Sequence, residues 1–228
     1  MSPAAINSHV VIAIPVLFVG GTEIQTLDLV KVLKSGGYQV SVCCYYEYDD
    51  SMVQEIQAAG ARAILMGLDR TDGLFHLARK LMGLFKELNP DIVHVQYIAP
   101  GLVPVVAARL SGISTVFATV HQPGHVYGRK AKLLVRVAAR LCSAFFCNSR
   151  AVEESWFGDS ALFTSEDLDE RRRHFTVYNG VDIDQISEIV NAVDRNELKH
   201  SLGMGDNPVV GIVARLRSEK GHTILLAA

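Results

Sequence analysis

The chain has 228 residues, 49% of them hydrophobic, and its 22 basic and 24 acidic residues give a formal net charge of −2. This length and apolar content suffice for one complete domain of about 150 residues and part of a second. The nearly neutral charge argues against a protein dedicated to nucleic acid. The sequence contains no run of about 18 uncharged apolar residues, so it predicts no membrane-spanning helix.

The amino terminus and the cysteines indicate in which cellular compartment the protein is located. The first residues lack the basic and hydrophobic stretches of a secretion signal. The four cysteines have neither the spacing of metal ligands nor that of a disulfide framework; they are Cys43, Cys44, Cys142 and Cys147. We therefore expect buried free thiols in a cytoplasmic protein.

Apolar runs and helical periods alternate along the chain. The β-rich runs predict strands at residues 9–16, 38–46, 61–66, 91–97, 114–121, 144–148 and 175–178. Helical spacing and glycine or proline stops predict helices at residues 22–35, 50–59, 74–88, 101–110 and 130–141. Repeated βα units require a parallel sheet covered on both faces, with right-handed crossovers, so we predict a Rossmann-like, doubly wound α/β fold.

The end of the chain predicts the opening of a second domain. Residues 208–213 form an apolar run typical of a buried strand, and a loop with Arg215 and Lys220 then leads into a helix. Unpaired amides, a helix dipole and two cations at one place are suited to hold phosphate. We therefore assign residues 1–190 to a first domain, 191–207 to a linker and 208–228 to the truncated start of a second Rossmann-like domain.

Ligands of such sheets bind beyond the carboxyl ends of the strands, so the loops there are candidate sites. Gly20 and Gly21 follow the first strand and would let a ligand approach the backbone, unless they form a plain turn capped by Thr22. His121 ends the fifth strand, where a neutral imidazole can hydrogen-bond a substrate hydroxyl. His94, within the fourth strand, is expected to be a hydrogen-bonded core histidine.

The loop after the seventh strand has turn and cap residues. Asn179 and Gly180 are predicted to shape a turn, and Asp182 is predicted to cap the next helix. A ligand role for this loop is the second interpretation.

A basic segment lies between Ile92 and Val152, which contains seven basic residues and no acidic one. Four of the cations form one stripe on a predicted helix: Arg129, Lys132, Arg136 and Arg140. Four apolar residues lie roughly opposite: Leu134, Val137, Ala138 and Leu141. The stripe is either a contact surface for anionic lipid headgroups or a solvated face.

Six motifs follow one another along nearly the whole chain. They are Gly20-Gly21-Thr22-Glu23, Pro90-Asp91-Ile92-Val93-His94, Thr119-Val120-His121, Asn148-Ser149, Tyr178-Asn179-Gly180-Val181-Asp182 and the stretch from Gly211 to Gly221. In this order they resemble the retaining glycosyltransferases of family 4, which have the GT-B fold. The ordered set is far more specific than any single motif.

The resemblance implies a two-domain enzyme that transfers a sugar from a nucleotide-sugar donor to a polysaccharide, glycolipid or small molecule, with retention of configuration and without metal or other cofactor. It implies that Gly20 and Gly21 approach the donor diphosphate or the acceptor. Arg215 and Lys220 would neutralise the leaving diphosphate, and His121 would hydrogen-bond the transferred sugar. Acceptor-side or structural roles fall to Thr22, Glu23, Asn179 and Asp182. A lipid-linked acceptor would also suit a peripheral position on the inner face of a membrane.

Two features depart from the family pattern, and two other functions stay open. The family's motif of two spaced glutamates does not occur in the chain, so this piece is expected to be inactive alone, and Ala214 stands where a glycine is common. One alternative is a non-catalytic module that binds a sugar or nucleotide. The other is an NAD-dependent dehydrogenase, suggested by Glu47, Asp49 and Asp50 after the second strand but lacking the Gly-x-Gly-x-x-Gly motif.

Overall fold

The computed structural model describes residues 8–97, 102–164, 172–205, 208–214, 216 and 220–227. The chain divides into two compact units, Met1–Gly180 and Val181–Ala228. The predicted division at residues 190 and 207 stays a prediction.

The first unit is built on a parallel sheet. Its strands are β1 (His9–Ile14), β2 (Gln39–Cys44), β3 (Arg62–Leu65), β4 (Ile92–Tyr97), β5 (Thr115–Val120), β6 (Ala144–Cys147) and β7 (His174–Thr176). The order across the sheet is β3-β2-β1-β4-β5-β6-β7, and every pair of neighbours is parallel. This order confirms the predicted doubly wound fold. β1 ends two residues earlier than predicted, because Pro15 has no amide to donate to a neighbouring strand.

The helices of the first unit cover both faces of this sheet. They are α1 (Gly21–Ser35), α2 (Asp50–Ala58), α3 (Gly73–Leu88), α4 (Val103–Leu110), α5 (Arg129–Leu141) and α6 (Arg150–Phe157). Side chains of β1 alternate between two apolar clusters, since Val11 and Ala13 pack with α3 to α6 whereas Ile12 and Ile14 pack with α1 and α2. The sheet is therefore buried on both sides.

The four cysteines lie in this core and are free, as predicted. Burial raises the pKa of Cys44 to about 11 and that of Cys142 to about 12. Burial also raises the pKa of Cys43 and of Cys147. The thiols therefore stay protonated and unreactive at neutral pH.

The second unit contains α7 (Ile183–Asn191), α8 (Arg195–Ser201) and α9 (His222–Ala227). The prediction of a buried strand at residues 208–213 is wrong, because this segment has no strand structure and Val213 is fully exposed. A parallel strand needs a neighbour to pair with, and the described residues of this unit form no other strand. No helix in the described ranges combines the length and the apolar character that crossing a membrane requires.

Candidate functional site

The candidate site lies at the carboxyl ends of the parallel strands. In the order β3-β2-β1-β4, the chain adds strands to opposite sides of β1, so the winding direction reverses between β1 and β4. The loops beyond that point form a crevice in open α/β sheets. We call this edge of the first unit the rim. Among the described loops that reach it, those after β1, β5, β6 and β7 carry the candidate residues.

The loop after β1 places the two predicted glycines differently. A Cβ atom at Gly20 would lie 2.6 Å from Oε2 of Glu23, whereas a Cβ at Gly21 would meet nothing within 4 Å. Gly20 therefore makes room for the buried carboxylate of Glu23, and Gly21 faces open space. The structure has Gly20, not Thr22, as the N-cap of α1, and a glycine cap adds no side chain at this end of the helix. The backbone at Gly21 is thus approachable at the positive end of the helix dipole.

The segment after β7 also reaches the first turns of α1. The side-chain amide of Gln25 donates to the carbonyl oxygen of Gly180 at 3.2 Å. The predicted turn at Asn179 and Gly180 is wrong, because residues 177–182 have no turn structure and neither residue has a positive φ. The chain instead runs on in an irregular, exposed path to the contact with Gln25. The structure thereby brings Gly180 to the same end of α1 as Gly20 and Gly21.

His121 follows β5 at the rim and is partly buried. Its Nε2 lies 2.9 Å from Oε1 of Gln96, a buried side chain of β4. Burial lowers the pKa of His121 to about 4, so the ring is neutral at pH 7. Because the Gln96 oxygen only accepts, Nε2 carries the proton and Nδ1 is left as an acceptor. A neutral imidazole in this state can accept a hydrogen bond from a hydroxyl group.

Asn148 adds a second polar group beside His121. Its side-chain amide donates to the carbonyl oxygen of His121 at 3.3 Å. Its Oδ1 is buried and has no hydrogen-bond partner among the described residues. An unpaired buried acceptor is costly, so this atom is suited to receive a hydrogen bond from a ligand or a water molecule. Sequence reasoning missed the contributions of Gln96 and Asn148, although a glutamine within an apolar strand is a usable signal.

The loop that carries His121 is fixed by α6. The indole nitrogen of Trp156 donates to the carbonyl oxygen of Gln122 at 2.8 Å, and Ser155 Oγ accepts from the amide of Gly124 at 2.6 Å. A Cβ at Gly124 would lie 2.7 Å from the Trp156 ring, so only glycine fits there. α6 was not predicted from sequence, although Ser149 caps it by accepting from an amide three residues on. His125, by contrast, is exposed.

His94 has the structural role that the sequence predicted. Its Nε2 lies 2.8 Å from Oγ1 of Thr119, and its ring packs against Phe117 and Phe146. Burial, with a smaller contribution from His121, lowers the pKa of His94 to about 4. This neutral histidine therefore links β4 to β5 beneath the rim.

Two of the three acidic residues after β2, Glu47 and Asp49, are already engaged by the protein. Arg70 binds both carboxylate oxygens of Glu47 at 2.7 Å, and its guanidinium lies 4.5 Å from the ring centre of Tyr46. Asp49 caps α2 by accepting from the amide of Ser51 at 2.8 Å. Neither carboxylate is therefore free to bind a ribose, as the dehydrogenase alternative requires.

The predicted basic stripe lies on α5, but the buried side of this helix differs from the predicted apolar side. Arg129, Arg136 and Arg140 are exposed and Lys132 is partly buried, while Leu133 stands among the cations with 63% of its surface exposed. The buried side of α5 consists of Val135, Ala138 and Ala139. The predicted apolar side was therefore misplaced, because Leu134 and Val137 lie at its margin and are only partly buried.

The remaining predicted residues belong to the second unit. Asp182 caps α7 by accepting from the amide of Gln185 at 2.9 Å, as expected. Lys220 is exposed and lies two residues before α9. Arg215 lies outside the described residues. Within the described ranges there is no group of three or more His, Cys, Asp or Glu side chains that could hold a metal ion.

Comparison with known proteins decides the family. The sequence profile of Glycosyltransferase Family 4 matches residues 19–185. This range includes strands β2 to β7 and the rim residues Gly20, Gly21, His121, Asn148 and Gly180. The chain belongs to glycosyltransferase family 4. This membership confirms the resemblance found in the order of the motifs. No curated protein sequence matches the chain.

Solved structures share the fold of this family 4 chain. Anabaena HepE, in a complex with UDP and glucose, matches with a TM-score of 0.69 and 16% identity over 97% of this chain and 57% of HepE. A glycosyltransferase from Rickettsia africae matches with a TM-score of 0.68 and 16% identity over 96% of this chain and 56% of its own. A UDP-GlcNAc 2-epimerase from Methanocaldococcus jannaschii matches with a TM-score of 0.51 and 12% identity over 75% and 45% of the two chains. The chain thus spans little more than half the length of the first two structures.

Proposed function

We propose that the complete enzyme transfers a glycosyl group from a nucleotide-sugar donor to an acceptor with retention of configuration. Residues 1–190 would form its acceptor-side domain, residues 191–207 a linker and residues 208–228 the start of the nucleotide-sugar-binding domain. Membership of glycosyltransferase family 4 supports transfer, and the UDP and glucose bound to HepE support a nucleotide-sugar donor. Because the chain lacks the spaced glutamates of the family motif, it would be inactive alone.

The neutral histidine at the rim is the observation that carries this proposal. His121 is held by the buried Gln96, which leaves its Nδ1 as an acceptor, and the side-chain amide of Asn148 donates to the His121 carbonyl while its Oδ1 is unpaired among the described residues. Such acceptors at the rim are suited to hydroxyl groups, which a sugar offers on adjacent carbons. We assign His121 to the transferred sugar, because a neutral ring binds a hydroxyl without the desolvation cost of a charge.

The leaving group requires a different kind of contact. Breaking a glycosyl–phosphate bond builds negative charge on the departing oxygen, which fixed amides and cations stabilise. The approachable backbone at Gly21 supplies amides at the start of α1, while Arg215 and Lys220 would supply the cations. With charge neutralised in this way, the reaction would need no metal. Thr22, Glu23, Asn179 and Asp182 would shape the acceptor side of the cleft or the helices that border it.

The basic stripe on α5 indicates which kind of acceptor the enzyme uses and where in the cell it works. Arg129, Arg136 and Arg140 stand exposed around Leu133, with Lys132 at their side. Cations that surround an exposed leucine favour an anionic membrane surface, where each contributes about 1 kcal/mol. We therefore propose a cytoplasmic enzyme on the inner face of a membrane, acting on a lipid-linked or other carbohydrate acceptor.

The test begins with donor binding by the complete enzyme. A nucleotide at 100 times its Kd should stabilise the fold by about 2.7 kcal/mol, so thermal unfolding with UDP, GDP, ADP and their sugars should identify one donor. His121→Gln should then lower the rate of transfer roughly tenfold or more, because one hydrogen bond to the sugar is lost. The matched control is His125→Gln, an exposed histidine of the same loop, which should change nothing.

Two results would contradict the proposal. One is the absence of stabilisation by every nucleotide and nucleotide sugar. The other is an equal effect of His121→Gln and His125→Gln on transfer. Stabilisation by a donor without any transfer or hydrolysis would instead favour the non-catalytic binding module.

A further inference from the structure

A second concave site lies at the edge of the sheet opposite the rim. It is a cavity of about 300 Å³ whose walls are Arg136, Ala139, Arg140, Phe157, Arg173 and His174. α5 ends just before β6 and α6 ends before β7, and Arg173 and His174 stand where β7 begins. The cavity therefore lies at the amino ends of β6 and β7. It shares no residue with the rim.

Three guanidinium groups give the cavity its charge. Arg136, Arg140 and Arg173 form no ion pair with any carboxylate in the described part of the chain. Two of them are oriented by the backbone, since Arg136 Nε donates to the Trp156 carbonyl at 3.0 Å and Arg173 donates to the Ser143 carbonyl at 3.2 Å. Each guanidinium carries five N–H donors, so most of these donors remain for a ligand.

The remaining wall of the cavity is held in place from behind. The rings of His174 and Phe157 stack with centres 4.0 Å apart and planes 4° apart. His174 Nδ1 lies 2.7 Å from the buried carboxylate of Glu153, which Arg172 also binds at 2.9 Å. The carboxylate of Glu153 is fully buried and already paired. The exposed carboxylate of Asp159 lies 3.7 Å from His174 Nε2 and 3.0 Å from Arg172, so it pairs with these two residues and not with the three arginines that line the cavity. The residues of this wall need little rearrangement before a ligand binds, which lowers the cost of binding.

We propose that this cavity binds a phosphate group, as a phosphomonoester or a diphosphate. Planar guanidinium forks match the oxygens of phosphate in pairs, and three guanidinium groups with no carboxylate partner among the described residues favour an anion of more than one charge. The phosphate belongs either to a lipid headgroup or to a water-soluble molecule. The inference depends on the cavity alone and not on glycosyl transfer.

Binding of pyrophosphate to the 228-residue chain, measured by calorimetry, tests the site. Arg140→Gln with Arg173→Gln should weaken binding at least about tenfold, because charge-assisted hydrogen bonds are lost. The matched control, Lys130→Gln with Arg150→Gln, removes the same charge from two exposed positions at the starts of α5 and α6 and should change the affinity less than about twofold. Arg140→Gln alone breaks no hydrogen bond within the described structure, so it reports on the site without disturbing the fold.

Three results would overturn the proposal. The first is no binding of pyrophosphate by the unmodified chain. The second is equal weakening by the two double variants, which would show attraction by net charge alone. The third is binding that survives in the Arg140→Gln/Arg173→Gln variant but is lost with Lys220→Gln, which would place pyrophosphate at the proposed donor site and leave the proposed function intact.

Two further arms identify the source of the phosphate. Vesicles that contain phosphatidylglycerol should bind the cavity variant more weakly than the matched control if the ligand is a headgroup. If the ligand is water-soluble, glycerol 3-phosphate should compete with pyrophosphate for the chain. In that case the two double variants should also lose vesicle binding to the same extent.

Discussion

The two units of the chain share helix signals but differ in what their helices pack against. α2 in the first unit and α7 in the second are both nine residues long. Each is preceded by an N-cap aspartate, Asp49 or Asp182, whose side chain accepts a hydrogen bond from a backbone amide of the first turn. α2 buries Met52, Val53 and Ile56, whereas α7 buries no residue. Local sequence therefore specifies where a helix starts in both units. Only the first unit adds the burial that makes such short helices stable.

The same contrast applies to strands. Each strand of the first unit pairs with at least one parallel neighbour, and the side chains of β1 to β6 enter apolar clusters on one or both faces. The apolar run at residues 208–213 has the composition of such a strand but remains irregular. A strand is stabilised by its neighbours, so composition alone is not sufficient to form one. Stability should accordingly reside in the first unit, and substitutions should reveal the difference.

The largest effect is expected at Glu153, whose side chain is 0% exposed and joins α6 to β7. Its carboxylate accepts from Thr176 at 2.6 Å and from Arg172 at 2.9 Å, in addition to its bond with His174. Glu153→Ala leaves these donors without a partner and should lower the free energy of unfolding by about 3–5 kcal/mol in urea titrations. The control Glu154→Ala, at the exposed neighbouring position, should cost less than about 0.5 kcal/mol.

The pH dependence of Glu153 provides an independent check. Burial alone would raise the pKa of this carboxyl, but hydrogen bonds from His174, Thr176 and Arg172 outweigh burial and hold the pKa below its ordinary value of 4.5. A group with a lowered pKa in the folded state stabilises the protein fully above its unfolded value. The advantage of the unmodified chain over Glu153→Gln should therefore be constant above about pH 5 and shrink as the pH falls below 4.5. An advantage that grows on acidification would contradict this account.

A matched pair of isoleucines compares the two units directly. Ile56 in α2 is 0% exposed and Ile189 in α7 is 61% exposed. Ile56→Ala should destabilise the chain by about 2–4 kcal/mol, because a cavity forms in the core. Ile189→Ala should leave the free energy of global unfolding within about 0.5 kcal/mol. Equal losses in urea titrations would show that α7 is packed as firmly as α2.

The sequence predicts most of the fold and less of the site, and the reasons are physical. The alternation of short apolar runs with stretches of helical spacing suffices to predict the strands of the sheet, because most strands coincide with such a run. Gly20 and His121 were predicted as candidates because a loop after a strand is a ligand position in this fold, and their role stays a prediction. No contact was predicted for Gln96 or for Asn148, although Asn148 belongs to one of the six motifs, because these contacts form only when β4, β5 and β6 lie side by side.

The cavity beside α5 illustrates the same limit. Arg136 and Arg140 were assigned to a helical stripe, which is a property of one element. Arg173 comes from a different part of the chain, and no local pattern relates it to α5. The predicted strand at residues 208–213 is wrong for the opposite reason, since its local pattern is present but the described residues of the second unit form no strand that could pair with it.

The smallest effect, and the sharpest test of the comparison, concerns two helix caps. Asp49 caps α2 and Asp182 caps α7, each through a bond of 2.8–2.9 Å to a backbone amide. Replacing either by alanine should cost about 1 kcal/mol of helix stability. Because α2 is packed into the core, Asp49→Ala should lower the global free energy of unfolding by that amount.

α7 has no buried side chain, so Asp182→Ala should act locally. We expect faster amide hydrogen exchange in residues 183–191 and an unchanged midpoint of global unfolding. Hydrogen exchange followed by NMR separates the two outcomes, since it reports opening of each helix as well as of the whole chain. If Asp182→Ala shifts the global midpoint as much as Asp49→Ala does, the second unit unfolds together with the first, and the contrast between them is one of exposure and not of stability.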